Sequence, residues 1–149
     1  MKRVYVNEER CLGCHLCEFY CAFANSGEND MAKAFKLNRN AAPRIRIEES
    51  GNINFAVQCR HCSDPMCVKS CIAGALTKNN GVVEIDKNKC VGCYTCVLVC
   101  PYGCVMPDIK NDGKTATKCE LCLRNSIGEP ACVKGCPNKA IVYEERGEN

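Results

Sequence analysis

Sixteen of the seventeen cysteines in this 149-residue chain fall into four quartets, and the quartets have the spacing of iron–sulfur ligands. Cys11, Cys14, Cys17 and Cys21 read C-x2-C-x2-C-x3-C, and Cys90, Cys93, Cys96 and Cys100 repeat that spacing unchanged. In Cys59, Cys62, Cys67 and Cys71 the middle gap widens to four residues, and in Cys119, Cys122, Cys132 and Cys136 it widens to nine. Three thiolates on a short loop can grip three irons of a cubane, while the fourth, on the helix that follows, points at a neighbouring cluster. Four quartets therefore predict four [4Fe–4S] clusters, and a chain so loaded is expected to conduct electrons.

The segments that must position these cysteines repeat. Val4-Tyr5-Val6-Asn7 precedes Cys11 by the offset at which Val83-Glu84-Ile85-Asp86 precedes Cys90. The loops Cys11-Leu12-Gly13-Cys14 and Cys90-Val91-Gly92-Cys93 also match, each with glycine where the chain must curl. Separately, Cys67-Val68-Lys69-Ser70-Cys71 echoes Cys132-Val133-Lys134-Gly135-Cys136, so quartet one resembles three and quartet two resembles four. A two-cluster ferredoxin runs strand, quartet, hairpin, quartet, strand. Its inner hairpin is legible at Ala75-Leu76-Thr77, the Asn80-Gly81 turn and Val82 to Ile85, which joins quartets two and three. Quartets one and four then form a second unit around the first, closing Arg3–Val6 against Ala140–Glu144. The alternating run 44–47, the turn Ser50-Gly51-Asn52 and 53–57 predict a further hairpin leading into quartet two.

The expected fold class is thus α+β: two nested bacterial-ferredoxin-type units related by a pseudo-two-fold, with short antiparallel hairpins and short helices around four clusters. The outer unit takes 1–23 and 115–145 and the inner unit 43–114, with an insertion at 24–42 and a flexible tail at 146–149. Tandem ferredoxins, one with two and three with four, are the other pairing; the positions of the strands and hairpin favour nesting. Nesting predicts how the ligands swap. Cluster one takes Cys11, Cys14, Cys17 and Cys136; cluster two takes Cys59, Cys62, Cys67 and Cys100. Cluster three takes Cys90, Cys93, Cys96 and Cys71; cluster four takes Cys119, Cys122, Cys132 and Cys21.

Composition agrees with a metal-built interior. Aromatic residues make up 6% of the chain and tryptophan is absent, so the clusters must serve as part of the core. Metal binding then becomes folding free energy, and the iron-free chain is expected to be largely disordered. The formal net charge of +3 misleads. Sixteen ligating thiolates and four oxidised cores bring the loaded chain to about −5. A nucleic-acid partner is therefore not expected from its lysines and arginines; Lys69, Lys134, Lys118 and Arg60, beside ligand cysteines, are expected to solvate the surface and moderate cluster charge. No stretch has the apolar length of a membrane span, and neither a cleavable apolar signal region nor a twin-arginine leader is present, so a cytoplasmic location is expected, where thiols stay reduced. Such cluster density suits an anaerobe.

Outside the quartets, Cys104 reads as a small buried hydrophobe beside a cluster, with an alternative ligand or redox thiol as the other reading. His15 and His61 sit inside ligand loops, but every quartet is already complete with cysteine, so they are expected to pack and to tune a cluster through hydrogen bonds. Tyr94 and Tyr102 are expected to pack on clusters. Pro101 and Pro137 supply the C-P ending of ferredoxin quartets, where Ala22 and Ile72 depart from it. In the insertion, Asn29-Asp30 can cap a short helix over 31–37 with Met31, Ala34, Phe35 and Leu37 on one side, a face that packs on the body or docks a partner.

A structural or nucleic-acid-binding zinc protein is the rival from another class. Zinc sites pair two C-x2-C knuckles across a longer spacer, whereas two of these quartets crowd three cysteines into seven residues. Disulfides do not suit a chain without an export signal, and the strand patterns and repeats are more than a metal sponge requires. A catalytic role is not expected: no nucleotide-binding glycine loop and no Ser/His/Asp or paired-carboxylate constellation stands outside the ligand loops.

On all sixteen ligand positions, from Val4 to Tyr143, the chain resembles the four-cluster ferredoxin-like subunits of oxidoreductases. These include the electron-transfer subunits of formate dehydrogenases, hydrogenases and dimethyl-sulfoxide-reductase-type enzymes, in which the first quartet crosses with the fourth and the second with the third. Within that group, three stretches are similar to the iron–sulfur proteins associated with nickel carbon monoxide dehydrogenase. They are Cys11-Leu12-Gly13-Cys14-His15-Leu16-Cys17 through Cys21-Ala22-Phe23-Ala24-Asn25-Ser26, Gln58-Cys59-Arg60-His61-Cys62, and Gly128-Glu129-Pro130-Ala131-Cys132. This resemblance implies a non-catalytic subunit that takes electrons from CO dehydrogenase. It would pass them to a hydrogenase, a ferredoxin or a flavin-dependent NAD(P) oxidoreductase. The same role for a tungsten or molybdenum aldehyde oxidoreductase or a formate dehydrogenase is the alternative. Anoxically purified chain is expected to be brown, to carry about sixteen irons and about sixteen sulfides, and to bleach with dithionite. Zinc without sulfide in the metal analysis would decide for the rival.

Overall fold

The first strand, β1 (Arg3–Val6), turns Val4 inward and leads through a 3₁₀ turn at Glu8–Arg10 into the first ligand loop. The structure, a computed structural model, describes residues 1–37, 42–124 and 128–146, so parts of the expected insertion (38–41) and tail (147–149) lie outside the described residues. After that loop come α1 (Leu16–Ser26), α2 (Met31–Leu37), and the strands β2 (Ile45–Ser50) and β3 (Ile53–Gln58). Then follow α3 (Met66–Lys69), β4 (Leu76–Asn79), β5 (Val82–Ile85), α4 (Thr95–Val99), β6 (Val105–Pro107), β7 (Ala116–Lys118), α5 (Ala131–Lys134) and β8 (Ile141–Glu144). The architecture is small α+β, with antiparallel two-stranded ribbons and mostly short helices. Among the described residues no helix is long and apolar enough to cross a membrane.

Four ribbons are formed among the described residues. β1 pairs with β8 from Arg3 opposite Glu144 to Val6 opposite Ile141, the closure of chain ends expected from the repeat. β4 and β5 meet across Asn80-Gly81, whose φ of 48° and 80° gives the two left-handed residues that a tight hairpin requires. β2 pairs with β3 from Ile45 opposite Gln58 to Ser50 opposite Ile53. The fourth ribbon, β6 with β7, was outside the sequence expectation. Its strands have three residues each, too few for a visible period, and are closed by side chains instead. Asp108 accepts from the Lys110 N–H at 3.2 Å and from the Lys87 ammonium, and its own N–H donates to the Thr115 carbonyl at 2.8 Å.

Contacts divide the chain into two units. One contains 1–58 and 121–149, and the other contains 59–120. The repeat predicts boundaries at 42/43 and 114/115; in the structure they fall at 58/59 and 120/121. The β2–β3 hairpin belongs to the first unit because its backbone is tied there: the Ile47 N–H donates to Glu18 Oε1 at 2.6 Å, and the Gln58 amide donates to the Val4 carbonyl at 3.2 Å. Residues 115–118 belong to the second unit because β7 is the partner of β6.

In the second unit Leu76, Val83, Ile85, Cys96, Val105 and Ala116 form the apolar core, and Cys67, Cys71, Cys90 and Cys100 pack against it. Cysteine thiols thus belong to this core, in a chain short of aromatics. In the first unit the expected short helix is present as α2; its N-terminus is capped by Asp30, which accepts from the Lys33 N–H at 2.9 Å. Of its apolar face, Ala34 is buried and the Phe35 ring meets Phe19 edge-on at 5.6 Å; the Leu37 side chain lies outside the description.

Helices α1 and α5 cross closely in the first unit, and Gly135 permits it. A Cβ there would lie within 2.5 Å of Tyr20 Cγ, against the rigid root of the side chain rather than its tip. Tyr20 precedes Cys21 and Gly135 precedes Cys136, so this contact sets the position of two thiols. Gly135→Ala is expected to lower the stability of the cluster-loaded chain by about 1–3 kcal/mol, seen as a lower denaturant midpoint. An unchanged midpoint would mean that the helices have room to separate.

Candidate metal centres

The ligand loops are wound by left-handed residues. His15 (φ 58°) and Tyr94 (φ 57°) hold equivalent places at the N-termini of α1 and α4, and His61 (φ 47°), Leu121 and Cys122 (both 55°) bend the other two quartets. Alternating right- and left-handed residues turn successive N–H groups toward one point, a concavity that suits an anion. Gly92 (φ 68°) has no alternative, since a Cβ would stand 2.5 Å from the Lys114 carbonyl oxygen.

Among the described residues, three cavities lined by cysteines stand out. The first gathers Cys11, Cys14 and Cys17 with Cys136, between His15 and Ile47, in about 340 Å³ of space not filled by protein atoms, open solvent included. The second, about 750 Å³ on the same measure, gathers Cys59, Cys62 and Cys67 with Cys100, beside Val83, Tyr102 and Cys104. The third, about 330 Å³, gathers Cys90, Cys93 and Cys96 with Cys71, walled by Leu76, Ile85 and Ala116. Of the remaining cysteines, Cys21 is buried in α1 and feels the charge of Cys122. Cys132 is buried in the single turn of α5, and Cys119 is half-buried after β7.

These cavities fit a polynuclear group. Among the described residues no three His, Cys, Asp or Glu side chains gather tightly enough for one metal ion. A zinc tetrahedron draws its sulfurs to about 2.3 Å from one centre; four thiols around a shared cavity fit a cubane. Backbone N–H groups already point at the sulfurs. Ala75 donates to Cys71 at 3.2 Å and Cys104 donates to Cys100 at 3.4 Å, each from four residues beyond the last cysteine of its quartet. Arg44 donates to Cys21 at 3.2 Å, and Ala116 to Cys90 at 3.5 Å. Such bonds withdraw charge from sulfur and raise a cluster's potential. The interval of four was present in the sequence as a signal; the donors Arg44 and Ala116, far away along the chain, left none.

The histidines differ in surroundings. His61 is fully buried and its Nδ1 accepts from the Val83 N–H at 3.0 Å, which leaves the ring proton on Nε2. His15 lines the first cavity, bonded to Glu18 at 2.9 Å with Glu49 at 3.5 Å; the Glu18 hydrogen bond and then its charge raise the imidazole above its ordinary pKa. Cys104 is buried, and its thiol donates to the Tyr102 carbonyl at 3.3 Å. The Tyr102 ring lies under the Arg60 guanidinium at 4.5 Å. Lys69 and Lys134 are exposed as expected, with Lys69 paired to Asp64. Lys118 corrects the expectation. Of the two expected roles, solvating the surface and moderating cluster charge, the first does not hold: Lys118 is fully buried, because β7 lies against the second core and the ammonium is taken up by the Val83 and Cys119 carbonyls.

A family model described as a 4Fe-4S dicluster domain matches residues 52–146, the span of quartets two, three and four. The chain is 38% identical over 150 residues to a protein of Rhodospirillum rubrum named "Iron-sulfur protein", covering 93% of this chain and 79% of that one. It is 33% identical to the "Electron transport protein HydN" of Escherichia coli (strain K12), covering 97% and 89% respectively. To the "Hydrogenase-2 operon protein HybA" of Escherichia coli O157:H7 it is 32% identical, covering 93% of this chain and 50% of that one.

Thiol protons must leave before iron binds. Burial pushes Cys17 up to about 12 and Cys96 up to about 11, with neighbouring Glu18 and Cys90 adding to the respective rises. Raised thiols favour the metal-free fold while protonated, so this contribution is whole below the ordinary 9.0 and is lost as pH climbs through 11 to 12. Exposed Cys93 moves the other way, held down by hydrogen bonds from Thr95. Loading of iron and sulfide should therefore strengthen from about pH 6 to about pH 9 with release of protons, measured by chromophore recovery under a pH-stat. Loading indifferent to pH over that interval would contradict it.

Proposed function

The chain belongs to the 4Fe-4S dicluster domain family of iron–sulfur proteins, and from that premise we propose that it is a non-catalytic electron-transfer subunit with four clusters on crossed ligand sets. Its cofactors are [4Fe–4S] clusters. Cluster one is held by Cys11, Cys14, Cys17 and Cys136, and cluster two by Cys59, Cys62, Cys67 and Cys100. Cluster three is held by Cys90, Cys93, Cys96 and Cys71, and cluster four by Cys119, Cys122, Cys132 and Cys21. The observation that carries this reading is the cavity in which Cys100, from quartet three, faces Cys59, Cys62 and Cys67 of quartet two. Cys136 beside quartet one and Cys71 beside the start of quartet three support the same crossing. The pairing of β1 with β8 supports two nested ferredoxin units, the outer one closed by the strands at Arg3–Val6 and Ile141–Glu144.

When bound, the clusters supply one-electron redox chemistry. The residues of the chain do the rest. Thiolates hold the irons, N–H groups tune their charge, and apolar walls such as Leu76, Ile85 and Ala116 keep water from the sulfurs. The hard chemistry belongs to a partner. The ligand-loop likenesses support a nickel CO dehydrogenase as donor in an anaerobic cytoplasm, with a hydrogenase, ferredoxin or flavin NAD(P) oxidoreductase as acceptor. The name of the HybA relative supports a second reading, in which a hydrogenase is the catalytic partner.

Mixing oxidised, cluster-loaded chain with catalytic amounts of nickel CO dehydrogenase under CO is expected to bleach it at least tenfold faster than hydrogenase under hydrogen does. The converse ratio would assign the hydrogenase, and no bleaching with either enzyme while dithionite still bleaches the chain would remove both partners.

A further inference from the structure

Val83 is gripped from both sides in the interior of the 59–120 unit. Its N–H donates to Nδ1 of buried His61, between Cys59 and Cys62, and its carbonyl accepts from the Lys118 ammonium. Val83 also lines the cavity of Cys59, Cys62, Cys67 and Cys100. Lys118 thus stands one peptide group behind that cavity, fully buried, with a second bond to the Cys119 carbonyl at 2.7 Å.

A buried ammonium is costly unless an anion compensates it, and carbonyl dipoles compensate only in part. Glu120, two residues on, turns its Oε1 to the Ile85 N–H at 3.4 Å. Further anionic charge would be concentrated on the sulfurs of the cavity. A packing role alone would be served by an apolar side chain of the same length, without the cost of a charge.

We infer that Lys118 supplies a fixed positive charge that raises the reduction potential of the cluster held by Cys59, Cys62, Cys67 and Cys100. The inference rests on that ligand set. Reduction adds one negative charge to a group that is already anionic, and a cation held behind it stabilises the reduced form more than the oxidised one. Its β7 backbone and the Val83 and Cys119 carbonyls keep the charge from swinging into solvent. Lys118 is a positioning residue and touches no substrate.

The test is an EPR-monitored redox titration of the complete, anoxically reconstituted chain, with iron counted for each variant. Cys62→Ser and Cys100→Ser identify the signal of this cluster, because both must alter the same one; two different signals would sink the ligand set whatever Lys118 does. Lys118→Gln keeps a donor for the carbonyls without the charge, Lys118→Met removes both, and Lys118→Arg keeps the charge. Both neutral variants are expected to make reduction of that cluster at least tenfold less favourable, about 59 mV for one electron, while Lys118→Arg stays near the native value. Loss of that cluster in the neutral variants but not in Lys118→Arg would support the inference too. Full iron with an unmoved potential, a shift in another cluster's signal, or equal damage from Lys118→Arg would overturn it and leave Lys118 a packing residue.

Discussion

Thiols that are distant in sequence must face one another across a shared space. Cys100 stands with Cys59, Cys62 and Cys67, Cys136 with Cys11, Cys14 and Cys17, and Cys71 with Cys90, Cys93 and Cys96. The backbone is shaped to this requirement at local cost. Non-glycine residues such as His15, His61 and Tyr94 take left-handed conformations, and a strained residue persists only where its surroundings over-determine it. Strands of four residues and helices of four or five would be marginal alone. Here each need only deliver a cysteine to a cavity, and the metal centres supply the cross-links that a larger apolar core would otherwise provide.

Charge is the second consequence of that requirement. Thiolates in an apolar interior are expensive, and burial dominates the rise of the Cys17, Cys21, Cys59, Cys67 and Cys96 thiols. The chain answers with donors. Main-chain N–H groups of Arg44, Ala75, Cys104 and Ala116 reach sulfur, and the Lys118 ammonium lies behind the second cavity. These same groups are the means by which a protein sets a cluster's potential, so the devices that make burial tolerable also tune the redox chemistry. Close packing enforces their placement: Gly92 lets one loop lie against the Lys114 carbonyl, and Gly135 lets α1 and α5 meet.

The electron-carrying role follows from content more than from shape. Membership of the 4Fe-4S dicluster family and likeness to an electron transport protein over 97% of the chain agree with a molecule whose cysteines line shared cavities. His61 supports Val83 beneath a cavity rather than standing open to substrate, and Cys104 gives its N–H to Cys100.

Cysteine spacing, a local property, was enough by itself to determine the cofactor class and to display the internal repeat. The Asn80-Gly81 hairpin and the Asp30-capped helix were legible for the same reason, since turn and cap chemistry acts over a few residues. Pairing of β1 with β8 was legible only through the repeat. What the tertiary structure alone decided is non-local. The β2–β3 hairpin went with 1–58 because Ile47 and Gln58 bond to Glu18 and Val4, contacts that no periodicity encodes. The β6–β7 ribbon arose from strands too short to show a pattern. Lys118 looked like any surface lysine beside a quartet, because burial belongs to the packed chain and not to the residue; only the fold carried its charge inside, against the carbonyl of Val83, which lines the cavity of Cys59 and Cys67.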